Sequence, residues 1–345
     1  MRMSEPNFDA YKTHITQKPP VEAVTITDGG QHGTRDDYIT VDFDKFRSLS
    51  SKEADRLTDK FIKAASDGRI SKNVLADFES DFRENVALAR SLDPALEGTS
   101  GGVVYKKSHI MMIDSWADSF IERAEGVLGG RNISENSAND ERLNRQYLRE
   151  HEVAHQMLGL DEAGADYMAA ARLLQTSPGP KTEDFLQRMA DLKTVSPYLS
   201  DNQRSDRLSK TYGYGCGEAI MAALGDEKNI RNISVEEMYD NAQMYDLKNT
   251  DYRSVKVDGN LVRPEIIIRE DIKKINPDIQ TYKPGDFVKA GQQILDSKAY
   301  PIGTPQHEAL ENAVEAFQRI DKAVTEMPPL VPVKSAAAPQ PTIQP

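Results

Sequence analysis

The segment DERLNRQYLREHEVAHQML, Asp140 to Leu158, keeps helical spacing throughout and then meets Gly159. A glycine at that place ends a helix, and a second helical stretch opens at Asp161 or Glu162. Within the first helix His151 and His155 are four residues apart, which turns the chain by about 400° and stacks both imidazoles on one face. Tyr147, Ala154 and Leu158 supply apolar side chains that pack this helix into a core. Two adjacent histidines on a helix that must reverse within a few residues commit the chain to a helical core with a tight corner.

The remainder can supply that core. At ~100 to 200 residues per domain, the 345 residues amount to one large or two modest domains. Hydrophobic residues make up 38%, and no run approaches the ~18 apolar residues of a membrane helix, so membrane insertion is not expected. Lys and Arg total 43 against 55 Asp and Glu, and the net charge of -12 repels a polyphosphate backbone; nucleic acid is not an expected partner. The N-terminus lacks the apolar segment of a secretory signal, and the single cysteine, Cys216, cannot close an internal disulfide. Both features point to a cytoplasmic protein, although export by a non-classical secretion system needs no such signal either.

The expected fold class is α+β, mainly α, with a small β-sheet. Val21 to Asp28 and Asp37 to Asp44 alternate apolar with polar around a glycine-rich stretch and predict a hairpin. Ser51 to Ser66 and Lys72 to Leu92 predict a helical pair around Asp67-Gly68-Arg69-Ile70-Ser71. That turn resembles half of an EF-hand, but Lys63, Ala65 and Val74 stand where ligand oxygens are needed, so no calcium is expected. Val103 to Ile113 reads as a strand, and Asp114-Ser115 as the cap of a helix bearing Trp116, Phe120 and Ile121. Further helices are expected at Thr182 to Lys193, Gln203 to Lys210, after Tyr212-Gly-Tyr-Gly-Cys-Gly217, at Val235 to Leu247 and at Gln306 to Glu326, with a hairpin over Tyr252 to Ile268. The expected division is 1–130, 131–225, 226–326 (which can belong with the preceding unit) and a disordered Pro/Ala-rich tail at 327–345. Within the tail, Pro329-Leu-Val-Pro332 has the PxxP form taken by SH3-like partners.

The two histidines carry the chemistry. Their nitrogens can grip one ion, and zinc suits such ligands. Glu152 lies about 100° round the helix, where a carboxylate can hold a water without binding the metal. Beyond the helix break, Glu162 and Asp166 share a face. The run HEVAHQMLGLDEAGADYMAA resembles the HExxH...ExxxD arrangement of gluzincin-type zinc metallopeptidases. That resemblance implies a zincin-like helical core and a Zn2+ ion held by His151, His155 and Glu162. It also implies that Asp166 orients a ligand histidine and that Glu152 is the general base in hydrolysis of a peptide or protein substrate.

The spacing departs from most such enzymes in that only six residues separate His155 from Glu162, and a straight helix would leave Glu162 ~10 Å beyond His155. The corner at Gly159-Leu160 is therefore essential. Asp161, six residues after His155, is the alternative third ligand, in the manner of metzincin-like enzymes, or else a helix N-cap. Tyr212, Tyr214 and His109 are candidates for stabilising an oxyanion. The glycines of 212–217 lack GxGxxG spacing and read as a tight turn before a helix. The rival reading is a catalytically inactive zincin-like binding or regulatory protein whose structural zinc is closed off by a fourth side chain, Cys216 for example.

Overall fold

Apolar residues at three- and four-residue spacing become helices along most of the chain. The computed structural model describes residues 6–9, 11–12, 24–27, 30–32, 38–41, 46, 49–66, 72–91, 102–104, 111–114, 137–198, 213–249, 254–278 and 284–326. Helices α1 (Ser51–Ser66) and α2 (Lys72–Ser91) pair through aromatic rings, Phe61 stacking on Phe82 at 4.3 Å with Phe46 and Phe78 against the same ring. The intervening turn lies outside the described residues.

Five short strands, β1 (Val24–Thr27), β2 (Gly30–His32), β3 (Tyr38–Val41), β4 (Gly102–Val104) and β5 (Met111–Asp114), form a sheet in the order β2-β1-β3-β5-β4. Two expectations change here. The segments around β1 and β3 do not form a hairpin: they run parallel, Val24 opposite Ile39, because β2 has already reversed the chain against β1. The apolar run expected as one strand is two antiparallel strands, Val103 opposite Met112, divided by the polar Lys106-Lys107-Ser108. Asp114 ends β5, and the helix expected to follow it falls outside the described residues.

The principal core is helical. It is built by α3 (Ser137–Val153), α4 (Glu162–Thr176), α5 (Pro180–Val195), α6 (Gly213–Gly225) and α8 (Val235–Asn249), with the short α7 (Glu227–Ile230) alongside. Helix α4 is its centre: every residue from Ala163 to Leu174 is buried, and its alanines let neighbouring helices close in. The N-terminal segment joins this core. Tyr11 is fully buried in it, Asn7 N–H donates to Met157 O at 2.8 Å, and Phe8 meets Tyr239 edge-on at 5.1 Å. The glycine-rich 212–217 run is not the turn expected, since α6 already starts at Gly213. Gly217 faces α5 so closely that a Cβ would lie 1.9 Å from Thr194 Oγ1, so the glycines serve helix packing.

A second core joins α9 (Pro264–Ile275), α10 (Pro284–Asp296) and α11 (Pro305–Glu326) to the end of α5 through Leu192, Val195, Tyr198, Ile268, Phe287 and Phe317. Arg319 of α11 grips the buried Asp191 of α5, with N···O distances of 2.9 to 3.2 Å. Helix α5 thus serves both cores. Between them β6 (Val255–Val257) and β7 (Asn260–Val262) form a hairpin whose turn residues Asp258 and Gly259 have φ of 49° and 84°. The hairpin is shorter than expected, because Pro264 occupies the first turn of α9 and makes the triple isoleucine helical.

The fold is therefore α+β and mainly α. Among the described residues no helix is long and apolar enough to cross a membrane. The helix expected at Gln203 to Lys210 and the tail at 327–345, with its PxxP segment, lie outside those residues.

Candidate metal centre

The corner forms where the sequence requires it. Helix α3 widens into a π-helical turn over Ala154–Leu158 and stops at Gly159, whose φ of 67° is left-handed and easily adopted only by glycine. Gly159 N–H donates back to His155 O, Leu160 is buried as an anchor, and Asp161 is extended before α4 begins at Glu162. π-helical turns are uncommon and concentrate at functional sites.

This corner brings three ligand atoms together. His151 Nε2 and His155 Nε2 are 3.0 Å apart, and the Glu162 carboxylate oxygens lie 3.3 Å from the first and 3.9 Å from the second. Tetrahedral ligands ~2.1 Å from an ion are about 3.4 Å from one another, and these separations bracket that edge. Among the described residues His151, His155 and Glu162 form the group of His, Cys, Asp or Glu side chains able to hold a metal. Asp161, the alternative third ligand, is exposed and outside the group.

The second nitrogen of each histidine is fixed. His155 Nδ1 lies 2.7 Å from Leu160 O, which can only accept, so Nδ1 carries the hydrogen and the Nε2 lone pair points into the group. His151 Nδ1 lies 2.7 Å from Asp166 Oδ1, which places a proton on Nδ1 and leaves Nε2 as the atom that faces the group. Burial pushes the His151 imidazolium pKa down, but the Asp166 carboxylate outweighs it and carries the value up to about 10. Burial and the neighbouring His151 push His155 down. Without an ion His151 therefore holds a second proton on Nε2 at neutral pH, one that a bound cation would have to displace, whereas His155 stays neutral.

Asp166 is the hub behind the group, with no exposed surface. Besides His151 it accepts Tyr147 Oη–H at 2.5 Å and the Lys193 ammonium at 2.6 and 2.7 Å on its two oxygens. Burial pushes its carboxyl up, and Lys193 and His151 together hold it well below the usual carboxylate range. Cys216 also faces Asp166 from α6; burial pushes its thiol well up, and it is not in the ligand group. Glu152 is half-buried on α3 and outside the group; burial pushes its carboxyl up to about 7, the range of a general base at neutral pH.

Among the expected site residues, the fold thus groups His151, His155 and Glu162, sets Asp166 on His151 and leaves Asp161 aside. Asp161 stands at the N-cap of α4, yet its side chain makes no capping bond. Tyr212 and His109 lie outside the described residues, and the Tyr214 side chain is not described. Sequence reasoning missed Lys193 and treated Tyr147 as core alone. Comparison of the chain with protein-family models, curated proteins and solved structures finds no match.

Proposed function

We propose that the protein is a zinc-dependent metallopeptidase, with Glu152 as general base. The observation that carries this reading is the convergence of His151 Nε2, His155 Nε2 and a Glu162 oxygen, all within 4.8 Å of one another, beside the half-buried Glu152 on the helix of His151. Bound there, zinc would supply Lewis-acid activation of a water and of the scissile carbonyl. The chain's own residues do the rest. His151, on giving up its Nε2 proton, would present a lone pair as His155 does, Asp166 and Leu160 O hold the two rings, and Glu152 takes the proton from the attacking water and returns it to the leaving amine.

The other reading, a zincin-like binding or regulatory protein with a structural zinc, calls for a fourth side-chain ligand. Among the described residues the group has three members, and Cys216 faces Asp166 instead, which favours the catalytic reading. Cys216, buried and in no disulfide, suits a reducing, cytoplasmic compartment.

The test pairs metal analysis with digestion. Protein purified without added metal is expected to carry about one zinc per chain and to cleave members of a peptide library, and His151→Ala/His155→Ala to do neither. Equal zinc content in the two proteins would remove the site, and zinc-loaded wild type that leaves every peptide intact would favour the structural-zinc reading.

A further inference from the structure

Glu162 is the first residue of α4, where a helix is most prone to fray because its leading N–H groups have no partners inside the helix. A capping box normally ties down such an end: the N-cap side chain accepts the N–H two or three residues on, and the third residue's side chain reaches back to the N-cap N–H. Neither half is available locally. The Asp161 side chain makes no capping bond, and the third helical residue is Gly164.

Both bonds come instead from one carboxylate on another helix. Asp246 of α8 accepts Asp161 N–H on Oδ2 at 2.8 Å and Gly164 N–H on Oδ1 at 2.5 Å. Gly164 is the complement of this contact, since a Cβ there would lie 2.5 Å from Oδ2 and 2.8 Å from Oδ1. The negative charge also meets the positive end of the α4 dipole. Glu162 and Ala163 lie between the two tethered amides, on their common turn, so the Glu162 backbone is held at both sides.

We propose that Asp246 is a positioning residue for the metal site: by holding the first turn of α4 to α8, it keeps the Glu162 carboxylate beside His151 and His155. The inference rests on the metal-binding reading above, and it assigns part of the third ligand's placement to a helix that contributes nothing to the ligand group. It explains why the N-cap residue Asp161 makes no capping bond of its own and why the third residue of α4 has no side chain.

Zinc affinity, measured by competition against a chelator of known affinity, tests it. Asp246→Ala is expected to bind zinc about 10- to 100-fold more weakly, the range of losses behind a metal ligand. Asp246→Asn, which keeps one acceptor oxygen, should fall between it and wild type. Gly164→Ala should weaken binding by displacing the carboxylate, with no added loss when combined with Asp246→Ala. The decisive arm uses Glu162→Ala, itself expected to bind weakly: there Asp246→Ala should change nothing, because its effect passes through Glu162. Wild-type affinity in both Asp246→Ala and Gly164→Ala, or an equal further loss in the Glu162→Ala background, would overturn the inference while leaving the metal site standing. Wild type that binds no zinc would overturn both. Should Asp246→Ala fail to fold by circular dichroism, Asp246→Asn and Gly164→Ala carry the same comparisons.

Discussion

Glu152→Gln is expected to keep its zinc and its fold and to hydrolyse peptides about 10²- to 10⁴-fold more slowly, the usual contribution of a positioned general base. The amide has the shape of the carboxylate but cannot take a proton from water. Glu152 lies outside the ligand group, so metal content should not change. Burial brings its carboxyl up to about 7, which makes it a far better base than an exposed glutamate. The sign of the pH dependence follows. Wild-type kcat/KM should fall as the pH drops through the Glu152 pKa, because a protonated carboxyl accepts nothing; a cation held by His151 and His155 draws that midpoint below 7. The residual rate of Glu152→Gln should lack this acid limb. A peptide substrate identified from the library serves for both profiles. Full activity in Glu152→Gln would remove general-base hydrolysis by this residue from the account.

The site was legible where its logic is local. Histidines four apart, a glycine after the last apolar residue and an acid in the next first turn are signals within one stretch of chain, and they define the α3–Gly159–α4 corner and the grouping of its side chains. What the sequence concealed is long-range. Lys193 falls on the stripe of Phe185, Leu186, Met189 and Ala190, and Asp246 on that of Met238, Tyr239 and Ala242, so both are charges on apolar helix faces. A charge so placed is the mark of a buried ion. It does not name the partner, because Lys193 meets Asp166 across 27 residues and Asp246 meets Gly164 across 82. The glycines of α6 misled for a related reason: local preference makes them a turn, whereas close contact with Thr194 makes them part of a helix. Strand direction was hidden as well. Alternating patterns place β1 and β3 in a sheet without distinguishing a hairpin from a parallel pair, and the short β2 decides it.

Lys193→Met is expected to destabilise the metal-free protein by about 3–5 kcal/mol, the cost of leaving one partner of a buried ion pair uncompensated. Methionine keeps much of the apolar stem, so packing is nearly conserved and the loss is electrostatic. The Lys193 ammonium touches both oxygens of Asp166, and only 7% of Lys193 and none of Asp166 is exposed. Removing the cation leaves the carboxylate to His151 and Tyr147, and burial then drives it towards the neutral acid. The opposing change identifies the cause. In Lys193→Met/Asp166→Asn no buried charge is unpaired, and the asparagine oxygen can still accept from Tyr147 and His151, so most of the lost stability should return. Equilibrium urea unfolding of the four proteins with excess chelator present measures this without any contribution from metal. A loss below about 1 kcal/mol in Lys193→Met, as for exposed pairs, or a double variant that loses the sum of the two single changes, would show that Lys193 is not what keeps Asp166 ionised behind His151.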